Sequence, residues 1–207
     1  VSAPAAFDIH WEAAWASMST ATPPAALRDA LLLRYAEPHR RYHTLQHLGE
    51  CLDAFERERA HAQHPGDVAL ALWFHDAVYD LQASDNELQS ADWARAALHE
   101  AGVDAEAAQR VHDLVMATRH DALPAGTDAQ LLVDIDLSIL GAPPERFAEY
   151  ERQIRDEYAH VPADVFEPRR RAILARFLAR DPLYQTPGIR ARCEAQARIN
   201  LRGAIGN

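Results

Sequence analysis

Val68-Ala69-Leu70-Ala71-Leu72-Trp73-Phe74-His75-Asp76-Ala77-Val78 is the stretch that decides how the chain folds. It is too long for an ordinary strand, and its alanines favour helix, although Trp73-Phe74 and Val78-Tyr79 taken alone read as strand-like. It is apolar on every side, which marks a helix packed all round. His64-Pro65-Gly66-Asp67 precedes it as a turn, with Asp67 placed to cap the helix.

Working outward, the same helical spacing recurs. Phe7, Trp11, Ala14, Trp15 and Met18 form one stripe. Pro23-Pro24 ends that pattern and opens another that runs to Tyr35, before a break at Glu37-Pro38. Leu45, Leu48, Leu52 and Phe55 share a face. Ser84 and Glu87 have the spacing of a capping box ahead of a helix that ends near Gly102. Further helices are expected over 104–119, 128–140, 143–160 and 164–180, with a last one after Pro187-Gly188. Alternating strand patterns and Gly-rich loops are missing. The expectation is an all-α fold, with residues 1–207 forming one domain whose trailing helices, from about Pro143, cover the core.

Composition narrows the function. The net charge of -10 argues against a nucleic-acid polymer as partner, which would call for a basic face. It leaves room for a small phosphorylated substrate held by a cation and a few arginines. Cys51 and Cys193 are the two cysteines, and they form no C-x-x-C pair, so neither a zinc ribbon nor a disulfide framework is expected. No apolar run reaches the roughly 20 residues of a membrane span, and no export signal is visible. The expected setting is cytoplasmic, without a membrane; a homodimer is compatible with the sequence, which shows no interface.

Three segments carry chemistry. In Arg41-Tyr42-His43-Thr44-Leu45-Gln46-His47, two histidines four residues apart share a face if helical, as metal chelators or as solvated surface groups. His75-Asp76 lies within the apolar run, where an ionised carboxylate needs a cation or donors; imidazole and carboxylate are both good ligands for divalent ions. In Leu131-Leu132-Val133-Asp134-Ile135-Asp136-Leu137, two aspartates interrupt an apolar helix, as ligands or as N-terminal capping groups.

Together, His43, the His75-Asp76 doublet and Asp136 resemble the HD superfamily of metal-dependent phosphohydrolases, over a stretch from about residue 38 to residue 141. The strings Tyr42-His43-Thr44-Leu45-Gln46-His47, Phe74-His75-Asp76-Ala77-Val78-Tyr79-Asp80, Asp85-Asn86-Glu87 with Ser90-Ala91, and Asp134 to Gly141 look like a bacterial group described as predicted metal-dependent HD phosphohydrolases. The resemblance implies an HD-type helical bundle and one divalent ion (Mn, Mg, Fe, Ni, Co or Zn) held by His43, His75, Asp76 and Asp136. It implies hydrolysis of a small phosphomonoester, nucleotide or related phosphate compound by a metal-activated water.

The resemblance takes His43 rather than His47 as first ligand, and Asp136 rather than Asp134 as last. Asp76 serves catalysis through the metal, and Glu87 and His120 are candidates for proton transfer. His47, Asp80, Arg41 and Arg119 are candidates for substrate contact, with Arg40 a further phosphate binder. Glu87 also suits a capping box, and His120 a helix end. A second metal would draw on His99 and His120 and would favour a di-iron oxygenase instead. The same residues are also compatible with a nucleotide-sensing HD module without turnover, and with a helical scaffold whose polar groups are caps.

Overall fold

The computed structural model describes residues 3–18 and 23–206, with side chains described from residue 6 onward. Among the described residues there are helices and no strands. By compactness the chain divides into two units, Val1–Val133 and Asp134–Asn207.

The first unit is organised on the quoted segment. It becomes helix α4 (Pro65–Phe74), whose every residue from Gly66 to Phe74 is buried. Around it pack α1 (Ala3–Ala16), α3 (Leu45–Glu58), α5 (Asn86–Glu100) and α6 (Ala105–Ala117), while α2 (Ala25–Tyr35) lies on α3. The surrounding helices supply what an all-apolar helix requires, namely apolar partners on each side. Trp73 meets Phe7 and Trp11 edge-on, with ring centroids 5.8 and 5.0 Å apart. The tryptophan stripe of α1 is therefore core.

Several helix ends differ from the sequence reading. Helix α4 stops at Phe74 and leaves His75 as its C-cap, so the His75-Asp76 doublet lies just beyond the helix. The carbonyls that a helix end leaves over have other donors. Leu72 O takes the His75 Nδ1 proton at 2.8 Å, Trp73 O takes the Tyr35 hydroxyl at 3.2 Å, and Phe74 O takes the Ala77 amide at 2.9 Å. Asp67 is not the N-cap. His64 holds that position, and Asp67 is buried in the first turn with Arg110 Nε 2.6 Å from its carboxylate. The Ser84–Glu87 capping box does not form, because α5 starts one residue late for it, with Asp85 at the N-cap.

Helix α7 (Thr127–Asp136) ends in a 3-10 turn, Leu137–Gly141. In the second unit, α8 (Pro144–Glu157) and α10 (Pro187–Ile205) pack on this turn, and α9 (Ala163–Leu178) packs on α10. Asn200 donates from Nδ2 to Leu140 O at 2.8 Å and to Ala142 O at 2.9 Å, and the Tyr184 hydroxyl donates to Leu137 O at 3.0 Å. These bonds close the exposed carbonyls of a short 3-10 segment. No helix among the described residues is long and apolar enough to cross a membrane.

Candidate metal centre

The site is built where the start of α3 faces the end of α4. Thr44 is the N-cap of α3 and accepts from the Gln46 amide at 3.3 Å. His43 therefore sits outside the helix, while His47 stands in its first turn and is buried. The two histidines do not share a helical face, contrary to what their spacing suggests. His43 lies with its ring 4.2 Å from that of Tyr79 and 4.9 Å from that of Tyr42.

His47 reaches the doublet with its ring nitrogen. Its Nε2 is 3.0 Å from His75 Nε2 and 3.4 Å from Asp76 Oδ2, and His75 Nε2 is 3.1 Å from the same oxygen. The His75 ring is fixed from behind, because Nδ1 faces Leu72 O and so carries the proton. In a neutral ring that leaves Nε2 with a lone pair. A lone pair turned toward a carboxylate and a second imidazole needs a cation or a shared proton between them. An imidazole held through its other N–H by a main-chain carbonyl is also how metal-binding histidines are oriented. Cys51 stands one turn after His47. The donor atoms of His47, Cys51 and His75 all lie within 4.8 Å of one another. This buried group can hold a metal ion, and the residues fit one.

Burial alone would push the Asp76 carboxyl up. His75, His43 and His47 together outweigh that and hold it well below the ordinary carboxylate range. With 18% of its side chain exposed, Asp76 is the member of the group that touches solvent.

Behind the site stands Arg40, buried, in place of the phosphate binder read from sequence. Nη1 donates to His43 O at 3.1 Å and to Asp76 O at 2.6 Å, Nη2 donates to Ala77 O at 3.2 Å, and Nε donates to Glu37 at 3.2 Å. Its guanidinium also lies over the rings of Tyr35 and Tyr79, at 5.3 and 5.4 Å. The Tyr35 hydroxyl accepts from the Asp76 amide at 3.3 Å. Neither Arg40 nor Tyr35 was legible as a site-builder. A hint for Arg40 was Glu37 three residues before it, and for Cys51 its i, i+4 spacing from His47.

Asp80 is exposed and accepts from the Gln82 amide at 2.9 Å, within a turn that Asn86 also ties to the Asp80 main chain. Glu87 is half-buried in the first turn of α5. Arg41 is exposed. Arg119 is exposed, 3.2 Å from Asp121, and faces a cavity of about 580 Å³ between α4, α6 and the 119–126 loop, which none of His43, His47, His75 and Asp76 lines. His120 follows α6 with φ +56°, in the left-handed region that histidine adopts more readily than most residues. His99 is exposed in the last turn of α5.

In the second unit, Asp136 is the last residue of α7 and half-buried. Asp134 is buried within the same helix, where its carboxylate accepts from the Thr186 amide at 2.5 Å, and burial pushes it up to about 6. It thus holds the chain ahead of α10 and does not cap a helix. Comparisons with protein-family models, curated proteins and solved structures return no match.

Proposed function

We propose that this chain is a metal-dependent phosphohydrolase of the HD type, acting on a small phosphomonoester, nucleotide or related phosphate compound. The observation that carries the reading is the meeting of His47 Nε2, His75 Nε2 and Asp76 Oδ2 within 3.0–3.4 Å, with His75 fixed from behind by Leu72 O. A divalent cation bound there would lower the pKa of a bound water and neutralise charge developing on phosphorus.

The chain's own residues prepare that chemistry. Asp76 stays ionised at neutral pH because three imidazoles surround it. Its partial exposure makes it the side of the group from which a substrate can approach. His43, half-buried outside α3, acts on the Asp76 charge and offers an imidazole that can hold or return a proton. The resemblance adds Asp136 as a ligand, Glu87 and His120 for proton transfer, and Asp80, Arg41 and Arg119 for substrate contact. Those assignments rest on sequence, and each is tested by its own alanine variant.

The deciding experiment is elemental analysis of protein purified without a metal-affinity tag, wild type beside Asp76→Ala, followed by a panel of phosphate esters. A transition metal in the wild type that is lost in the variant, with release of inorganic phosphate, is the expected result. Metal without turnover of any ester would favour a sensing module. No metal in either protein, even after adding manganese or zinc, would overturn the reading.

A further inference from the structure

The sulfur of Cys51 occupies a place in the site that the HD ligand pattern of histidines and aspartates does not fill. Cys51 is buried, 2% exposed, on the same face of α3 as His47. Its Sγ lies 3.7 Å from His47 Nδ1 and 3.8 Å from His47 Nε2.

We propose that Cys51 is a thiolate ligand of this centre and that its sulfur makes the site select a thiophilic ion, zinc, cobalt or iron, over magnesium or manganese. The inference rests on the metal-centre reading above and adds to it the class of ion.

Donor spacing supports it. A tetrahedral ion with nitrogen at about 2.0 Å and sulfur at about 2.3 Å holds its donors about 3.3 Å (N···N) and about 3.5 Å (N···S) apart. The His47 and His75 nitrogens are 3.0 Å apart, and the sulfur is 3.7 and 3.8 Å from the two His47 ring nitrogens, so a shared ion requires the ring and the thiol to turn toward each other. The donor chemistry agrees. Magnesium binds through oxygen, keeps several waters and demands octahedral geometry. Two buried imidazoles beside a thiol are not that donor set. Soft and borderline ions gain most from such a set. Binding breaks the S–H bond, releases one proton to solvent and forms a sulfur–metal bond, with no change of oxidation state. A buried cysteine is commonly a small apolar filler. Here it shares one donor group, within 4.8 Å, with two imidazoles whose nitrogens converge.

The test is a cobalt(II) titration of the metal-free, full-length chain. Wild type is expected to develop a sulfur-to-cobalt charge-transfer band in the near ultraviolet alongside its visible bands. Cys51→Ser, checked by circular dichroism for unchanged helix content, should bind cobalt without that band and bind zinc about tenfold or more weakly. Dialysis against equal zinc and manganese should leave zinc in the wild type, and more manganese in the variant. Visible cobalt bands without the charge-transfer band in the wild type would overturn the role of Cys51 and leave the metal centre standing. No cobalt binding at all would overturn both. The wild-type spectrum decides the matter even where the variant fails to fold.

Discussion

Arg40 holds Asp76 by its main chain, with the guanidinium Nη1 2.6 Å from the Asp76 carbonyl oxygen. The same nitrogen reaches His43 O at 3.1 Å, so one buried cation ties together the segments on either side of the site. A lysine cannot replace it, because a single ammonium lacks the planar fork that serves Asp76, Ala77 and Glu37 at once. Arg40→Lys should keep the helical spectrum and weaken metal binding by about 10- to 100-fold, the usual range for losing a group that orients ligands. Arg40→Ala should also lower stability by about 3 kcal/mol, since it leaves buried carbonyls without their donor. Metal titration and urea denaturation of both variants check this. Unchanged metal affinity in Arg40→Lys would return Arg40 to the role of a general packing residue.

Tyr35 makes a narrower version of the same claim. Its hydroxyl donates to Trp73 O and accepts from the Asp76 amide. Burial pushes the phenol well above its ordinary range, so it remains a donor at any pH the protein tolerates. Tyr35→Phe keeps the ring that Arg40 covers and removes only the oxygen. The expected cost is about 1–3 kcal/mol for leaving buried main-chain groups unsatisfied. Metal affinity should fall as well, because the turn carrying Asp76 is loosened. A loss of stability with metal affinity untouched would separate the hydroxyl from the site.

These contacts explain what the sequence revealed and what it withheld. The apolar run through Phe74 declares a helix packed on all sides, and that needs only local information. Its end does not, because the last carbonyls are taken by Tyr35 and by the His75 side chain and the next ones by Arg40, groups that extrapolating the apolar pattern to Val78 could not foresee. The candidate ligand types are visible for the same reason as the core, since His75 and Asp76 interrupt apolar surroundings. Thr44 sets the start of α3 by capping and so leaves His43 outside the helix and His47 in its first turn, a difference that their four-residue spacing does not reveal. Cys51 has no cysteine partner at ligand spacing, and a lone thiol one turn from a histidine carries no signal in sequence. Asp67 reads as a cap in the sequence because its partner, Arg110, stands 43 residues away.

That partner sets a pH dependence. Burial pushes the Asp67 carboxyl above its ordinary 3.8, and Arg110 offsets only part of the rise. The folded chain therefore holds this proton to higher pH than the unfolded chain does. The sign follows from linkage. Where the native state binds more protons, stability falls as pH rises. Asp67 thus favours the fold below its unfolded pKa and loses that contribution as pH climbs from 3.8 through the raised folded value. Asp67→Asn cannot titrate and should flatten this part of the profile, while giving up the Arg110 ion pair at neutral pH. Urea denaturation at several pH values on both sides of the unfolded pKa measures it. Parallel profiles for the two proteins would show that Asp67 titrates alike in both states.

Gly141 tests the second unit. A Cβ built on it would lie 2.6 Å from Cys193 Cβ and 2.6 Å from Cys193 O, the latter part of the α10 backbone. A backbone oxygen cannot swing aside as a side chain can, so the 3-10 turn and α10 must separate. Gly141→Ala should cost about 1–3 kcal/mol, the range for overpacking a close contact. Gly126 is the control, because it is glycine for a different reason. Its φ is +86°, and a Cβ there meets nothing within 4 Å. Asparagine visits left-handed backbone more readily than other side chains, so Gly126→Asn should be nearly as stable as wild type, whereas Gly141→Asn should be worse than Gly141→Ala. Urea midpoints of the three variants check the order. Equal losses at both positions would mean that the approach of α10 does not fix Gly141.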